Sequence, residues 1–368
     1  MKKIAVIGGG IIGMTLVNYL DSKQFEVLLY DSGKNQATGA SAGIISPWLS
    51  KRRNKQWYAL ARDGAAFYEQ LVSDFSLTNE IYEKCGTLFV RDQVALDQLE
   101  QLAIERKEKA PEIGQIRLLN PKETSEILPI LRPTPSLYIS GGARLDGKAY
   151  LNHLRKRALG RGVRIISDEV KVQKAGNGWE INRAEEKVVV DKVVLAPGPK
   201  LKDLLEPLGY STAVEPQKGQ LISFSTDLNT NNWPVAFLDG EADLIPFNKG
   251  EILLGATHEN EAKWDLRPTK KAFEKLTQGV DRYLNNNSLT DFPYSFRVGT
   301  RAYTPDFAPF FGPLKDEVGL IVASGLGSSG LTTGPYIAFL LSEFLNGKVD
   351  EWEMSNYEKD FDHYITVI

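Results

Sequence analysis

The sequence predicts an α/β protein: a domain wound around a parallel sheet, assembled from separated segments of the chain with an intervening segment between them. Three observations carry this expectation. Residues 4–30 read as strand, glycine turn, helix and strand. Elements of the same kind return only after an intervening segment of about residues 80–140. A further glycine-rich stretch precedes a helix near the C-terminus. A length of 368 residues accommodates two domains at about 150 residues each. With 42% hydrophobic and 25% charged residues, long disordered tails and disulfide-dense scaffolds are excluded. The 44 Lys and Arg against 47 Asp and Glu leave a net charge of −3 without any basic block. Nucleic acid is therefore set aside as a partner, and small-molecule chemistry is favoured.

Cys85 stands alone, so neither an intrachain disulfide nor a Cys-based zinc site is available, and no metal is expected. Lys2 and Lys3 followed by an apolar run to Val17 imitate a secretory signal. The Gly8-Gly9-Gly10 run and the lack of a small-x-small cleavage site argue for mature structure instead. No apolar stretch reaches the roughly 18–20 residues of a membrane span, so a cytoplasmic protein with no transmembrane segment is expected.

In the first unit, residues 4–7 form a short branched apolar run suited to a strand buried on both faces. Gly8-Gly-Gly-Ile-Ile-Gly13 follows, and from Ile11 the spacing turns helical, with Ile12, Leu16 and Leu20 on an inner face until Asp21-Ser22. Residues 25–30 form a second apolar run ending in Asp31, eighteen residues after Gly13. This is the Rossmann-like dinucleotide pattern. Gly8 permits the tight turn, Gly10 lets a pyrophosphate approach the backbone, and Gly13 lets the helix pack closely on the strand. The helix N-terminus offers free N–H groups to phosphate. Asp31 accepts from an adenosine ribose and would repel a 2′-phosphate, which disfavours NADP. The pattern alone leaves NAD and FAD open.

Later elements follow the same logic. Residues 38–48, Thr-Gly-Ala-Ser-Ala-Gly-Ile-Ile-Ser-Pro-Trp, form a second run of small residues that lets backbone pass close to something flat. Residues 150–159 read as a helix, 163–166 as a strand, and 187–195 as another strand ending in Ala196-Pro-Gly198. Near the end come a strand at 319–323, a glycine loop at 324–330 and a helix at 334–346. Aimed at a flavin, that helix dipole would stabilise the negative charge gained on reduction. In the middle, residues 87–91, 219–224, 235–238 and 251–256 read as strands and 270–284 as a helix.

Together these pieces resemble the FAD-dependent D-amino-acid oxidase superfamily, most closely its glycine oxidase and D-amino-acid dehydrogenase branch. The matching residues are Gly8–Gly13 with Asp31, the 38–47 segment, Asp146 before a helix, and Val193-Val-Leu-Ala-Pro-Gly198. Further on come Pro216-Gln-Lys-Gly-Gln220, Gly255-Ala-Thr257, Gly299-Thr-Arg301-Ala-Tyr-Thr-Pro-Asp306, and residues 325–335. Their order spans nearly the whole chain. The resemblance implies a discontinuous FAD-binding domain (1–80, 141–215 and 295–368) interleaved with a smaller α+β substrate domain on a mixed β-sheet (81–140 and 216–294). It implies non-covalent FAD, with Cys85 a buried structural thiol. It assigns cofactor contacts to Gly8, Gly10, Ile11, Ile12, Gly13, Asp31, Ser32, Thr38, Ser41, Ala42, Gly43, Ile44, Val170, Ala196, Gly198, Arg301, Leu326, Gly327, Ser328, Ser329, Gly330 and Leu331.

The implied activity is oxidation of the C–N bond of a small amino acid or glycine-derived amine. Hydride passes from Cα to flavin N5, and the imine product hydrolyses. The electron acceptor is oxygen or a quinone or other carrier. Arg301 would clamp the substrate carboxylate bidentately, its bland alternative being an ion pair with Asp306. Asp243 stands where glycine oxidases carry a Tyr; it either binds an ammonium group or is a solvated loop acid. His258 is either a pocket residue or a structural His, and Trp48 either flanks the ring or is core. Ala302 replaces a usual Pro, which is expected to loosen the loop aiming Arg301. His153 and His363 show no catalytic partner, and Ser328 and Ser329 are not on a nucleophile elbow. Two alternatives stay open: oxidation of a glycine-derived group on modified tRNA, and a non-catalytic flavin-binding regulatory protein.

Overall fold

The computed structural model describes residues 1–34, 36–50, 54–240, 242–285, 289–352, 357 and 360–368. Among the described residues the strands form two large sheets and three small ones. The first large sheet has the order Phe310–Pro313, Leu320–Ser324, Lys192–Leu195, Lys2–Ile7, Phe25–Tyr30, Arg164–Ile166. All its pairings are parallel except that of the edge strand Phe310–Pro313. Ile4, Ala5 and Val6 are fully buried in its central strand, as a parallel sheet covered on both faces requires. One face is covered by the helices Ile11–Tyr19, Gly147–Gly160 and Gly330–Leu345, and the other by Leu201, Leu204 and Leu205 with Trp179 and Ile181.

The second sheet runs Tyr294–Tyr303, Glu215–Ser225, Glu251–Gly255, Asp243–Pro246, Val235–Phe237, Thr87–Phe89, Ser136–Ile139, Ile116–Leu119. It is mixed, because Val235–Phe237 pairs in parallel with Thr87–Phe89 while the other neighbours are antiparallel. The amphipathic helix Lys270–Asp281 covers one face through Leu276 and Val280. The chain is thus α/β with a Rossmann-like parallel-sheet unit and a second unit on a mixed sheet.

Three expectations need correction. Residues 187–195 are not one strand. Glu186–Val190 closes a three-stranded antiparallel sheet with Lys171–Ala175 and Gly178–Arg183, whereas Lys192–Leu195 joins the parallel sheet. The break is Asp191, whose backbone N–H donates to the Lys3 carbonyl at 3.0 Å while its carboxylate accepts from the Lys3 N–H at 2.6 Å. The boundary drawn at 295 falls inside Tyr294–Tyr303, which pairs with Glu215–Phe224 along its whole length and so lies in the mixed sheet. The last long helix begins at Gly330, not Gly334, and carries Pro335 in its interior. Proline there removes the N–H that would bond the Leu331 carbonyl, and the buried Tyr68 hydroxyl donates to that carbonyl instead.

Tyr68→Phe should therefore leave a buried carbonyl unsatisfied and lower stability by about 1–3 kcal/mol. Chemical denaturation of the two proteins measures it, and an unchanged midpoint would show that the carbonyl finds another donor.

Candidate active site

A cavity of about 450 Å³ opens at the carboxyl ends of the parallel strands, the place where open α/β sheets bind ligands. Its wall gathers the residues that follow four of those strands: Gly8–Gly10, Asp31, Ala196–Gly198, and the 326–332 loop and helix start. The mixed sheet supplies Gly219, Leu221, Asp243, Gly255, Gly299 and Arg301 from the opposite side.

The glycine turn is built for close approach. A Cβ on Gly8, which sits at φ +108°, would lie 2.2 Å from the Ala196 carbonyl oxygen, and one on Gly13 would lie 1.9 Å from the Gly8 carbonyl oxygen. Only glycine fits either place. Gly10 differs: an added Cβ would meet Thr38 Oγ1 at 3.5 Å and nothing nearer, so the space beside it belongs to the cavity. Gly10 also starts the helix Ile11–Tyr19 without a side-chain cap and with no acid in the first turn. Thr38 Oγ1 accepts the Ile11 N–H at 3.0 Å. The helix Gly330–Leu345 likewise starts at the cavity, uncapped by a side chain and with no acid in its first turn. Two positive helix ends therefore meet in one cavity. Asp31 lies against the turn, 2.7 Å from where a Gly9 Cβ would be, and accepts from Gln36 Nε2 at 2.9 Å. A bare phosphate-sized space at one helix start, a second helix start and a ribose-competent acid fit FAD.

Arg301 sits inside the strand Tyr294–Tyr303, opposite Gln217, with Ala302 opposite Pro216. No loop is there to loosen, contrary to the expectation drawn from Ala302. The guanidinium lies over Gly219, where a Cβ would come within 2.7 Å of it. Its Nη1 donates to Gln217 Oε1 at 3.1 Å and to the Thr257 carbonyl at 2.9 Å. Gln217 Nε2 donates to Asn260 Oδ1 at 2.6 Å, which turns the amide oxygen toward the arginine. Burial pulls the Arg301 guanidinium below its ordinary value, with Tyr303 and Glu259 partly opposing. Asp306 is engaged by the Tyr364 hydroxyl at 3.1 Å, and among the described residues no carboxylate forms a salt bridge with Arg301.

Asp243 is no solvated loop acid: it begins a strand opposite Gly255 and lines the cavity. Burial pushes its carboxyl up to about 8, with Arg91 pulling the other way. His258 also lines the cavity and is exposed. The other candidates from Gly8 to Leu331 line it too, except Gly13, Ser32 and Val170. Gly13 acts behind the turn, and Val170 packs against the core that includes Leu201, Leu204 and Trp179. Trp48 is core, its indole donating to Glu112 at 3.1 Å. His153 bonds the Phe75 carbonyl, and His363 that of Asp360. Burial raises the Cys85 thiol to about 11. Sequence reasoning missed Trp57, which lines the cavity and donates to Ser329 Oγ at 3.0 Å, and Gln217, which it quoted only as part of a motif.

Comparison with known proteins matches this architecture. Residues 3–344 match the DAO family, described as FAD dependent oxidoreductase. The uncharacterized oxidoreductase YurR of Bacillus subtilis (strain 168) is 34% identical, over 97% of this chain and 98% of its own length. A glycine oxidase of Pseudomonas putida is 27% identical, over 94% of this chain and 95% of its own. The structure of iminodiacetate oxidase (IdaA) from Chelativorans sp. BNC1 superposes with a TM-score of 0.90 at 28% identity, covering 96% of this chain and 98% of that one. The fold and site thus define a flavin-dependent oxidoreductase. The chain belongs to the FAD-dependent DAO family, within its glycine oxidase-like branch.

Gly10→Val should give a folded protein that purifies without its yellow colour, because the side chain fills the space left beside the helix start. An absorbance spectrum of the purified variant checks this, and full flavin content would move the phosphate site elsewhere.

Proposed function

We propose that this enzyme oxidises the C–N bond of a small amino acid or glycine-derived amine whose carboxylate is held by Arg301. The observation that carries this reading is a half-buried guanidinium on the cavity wall, held by an amide and a carbonyl but by no carboxylate among the described residues. A desolvated cation of this kind gains most from an anionic ligand. The glycine oxidase and iminodiacetate oxidase relatives support a small amine-bearing carboxylate as that ligand.

Bound FAD supplies the two-electron oxidation of the Cα–H bond beside nitrogen, giving an imine that water hydrolyses. Gly8, Gly10, the first turn of Ile11–Tyr19 and Asp31 would hold the dinucleotide, and the start of Gly330–Leu345 would face the ring. The protein's remaining task is orientation. Arg301 is fixed within a strand rather than on a loop, so a bidentate contact would set both the distance and the direction of the Cα–H bond. Gly219, with no side chain, lets the guanidinium lie directly against its strand.

Anaerobic mixing of the holoenzyme with glycine, sarcosine, iminodiacetate, proline and D-amino acids should bleach the flavin absorbance with at least one of them. No bleaching across the panel would count against the reading. Arg301→Ala should keep its flavin and visible spectrum yet weaken binding of a simple carboxylate inhibitor by about 2–5 kcal/mol. Unchanged inhibitor affinity would place the clamp elsewhere.

A further inference from the structure

The carboxylate clamp leaves Asp243 unexplained. Asp243 pairs with Gly255, Gly255 pairs with Leu221, and Gly219 beneath the Arg301 guanidinium lies two residues along from Leu221. At about 4.8 Å between strands and 3.3 Å per residue, the backbones of Asp243 and Gly219 are roughly 12 Å apart. A small carboxylate touching both side chains fits such a span. Among the described residues no salt bridge holds the Asp243 carboxyl. The cation it feels, Arg91, donates instead to the carbonyls of Val90, at 2.6 Å, and Phe237, at 2.9 Å.

The groups around this carboxyl are few. The neighbouring strands present Gly255 and Phe237, both uncharged, the Leu238 backbone N–H donates to the carboxyl, and Arg91 stands at the end of the next strand. The cavity wall adds His258 and Arg301, with Asp31 and Lys34 beside the glycine turn. Glu241, two positions before Asp243, lies outside the described residues. An acid of this kind, facing a cavity that also holds an anion clamp, has one charge complement in the substrate proposed above: its ammonium.

We propose that Asp243 receives the ammonium proton of the substrate, so that the cavity selects zwitterionic amines and converts them to the neutral amine that oxidation needs. The inference rests on the Arg301 reading. In the step, an N–H bond breaks, its electron pair stays on nitrogen, and the proton moves to a carboxylate oxygen of Asp243. No electron is exchanged. Below its raised midpoint the free carboxyl holds a proton, which must leave before it can accept another. A nearby ammonium drives that ionisation, and a general base whose midpoint lies near the working pH is well matched to the task.

The test uses the holoenzyme and α-aminoisobutyrate, which carries ammonium and carboxylate but no Cα hydrogen to lose. Calorimetry at pH 7 in buffers of different ionisation enthalpy should show about one proton released on binding to the wild type. It should show none for Asp243→Asn, while isobutyrate binds both proteins alike. Equal release by both proteins, or equal affinity of both for α-aminoisobutyrate, would overturn the proposal. Binding of isobutyrate but not α-aminoisobutyrate to the wild type would also overturn it, and binding of neither would remove the clamp and this inference together. With a substrate that bleaches the flavin, wild-type kcat/KM should rise with pH through about 8. Asp243→Asn should lose that limb and fall roughly 10²-fold or more, and Asp243→Glu should restore part of both. An unmoved limb in Asp243→Asn, with its flavin spectrum intact, assigns Asp243 a merely structural part.

Discussion

Backbone packed against backbone at the end of the first strand is the constraint on which the rest depends. Gly13 lets the helix Ile11–Tyr19 lie so close to Gly8 that a methyl group would collide with its carbonyl oxygen, and Gly8 in turn abuts Ala196. These contacts draw the strands Lys2–Ile7 and Lys192–Leu195 and one helix to a single point. The helix therefore begins at the sheet's carboxyl edge rather than beside it. The N–H groups at the helix start, one of them held by Thr38 Oγ1, and the cavity follow from that placement.

Much of this was legible in the sequence because each part has a local signature. Gly8, Gly10 and Gly13 sit at a spacing that few other structures need, and Asp31 closes the unit at the right interval. Arg301 stands out through its motif, and Asp243 and His258 through their positions beside other motifs; all three lie on the cavity wall. What stayed hidden depends on pairing between distant segments. Gln217 gains its meaning from lying opposite Arg301 on the adjacent strand, and Trp57 from a contact with Ser329 some 272 residues away. The apolar run across Asp191 could not reveal its own break, since that break is set by Lys3 at the other end of the domain. Pro335 reads as a stop or a start, and is tolerated inside a helix through the hydroxyl of Tyr68.

The two sheets divide the labour. The parallel sheet presents helix starts and glycine turns, groups suited to phosphates and to a ring that gains charge. The mixed sheet presents side chains of opposite kinds, a cation and an acid, on strands that cannot bend independently of their neighbours. In the proposed reading, electrostatic selectivity would so come from rigid elements. The whole chain's charge of −3 offers little long-range attraction for an anion, so in the proposed reading capture would fall to Arg301 and its immediate surroundings.

Gly299 links the two halves in a way that concerns distance alone. A Cβ on it would lie 3.0 Å from both Ala40 Cβ and the Gln36 carbonyl oxygen, so the Arg301-bearing strand rests directly on the segment that follows Asp31. The separation between that strand and the 36–40 segment is then set by a hydrogen atom where any other residue would place a methyl group. If the substrate is held by Arg301 as proposed, that close contact would help to fix the distance across which its hydride passes.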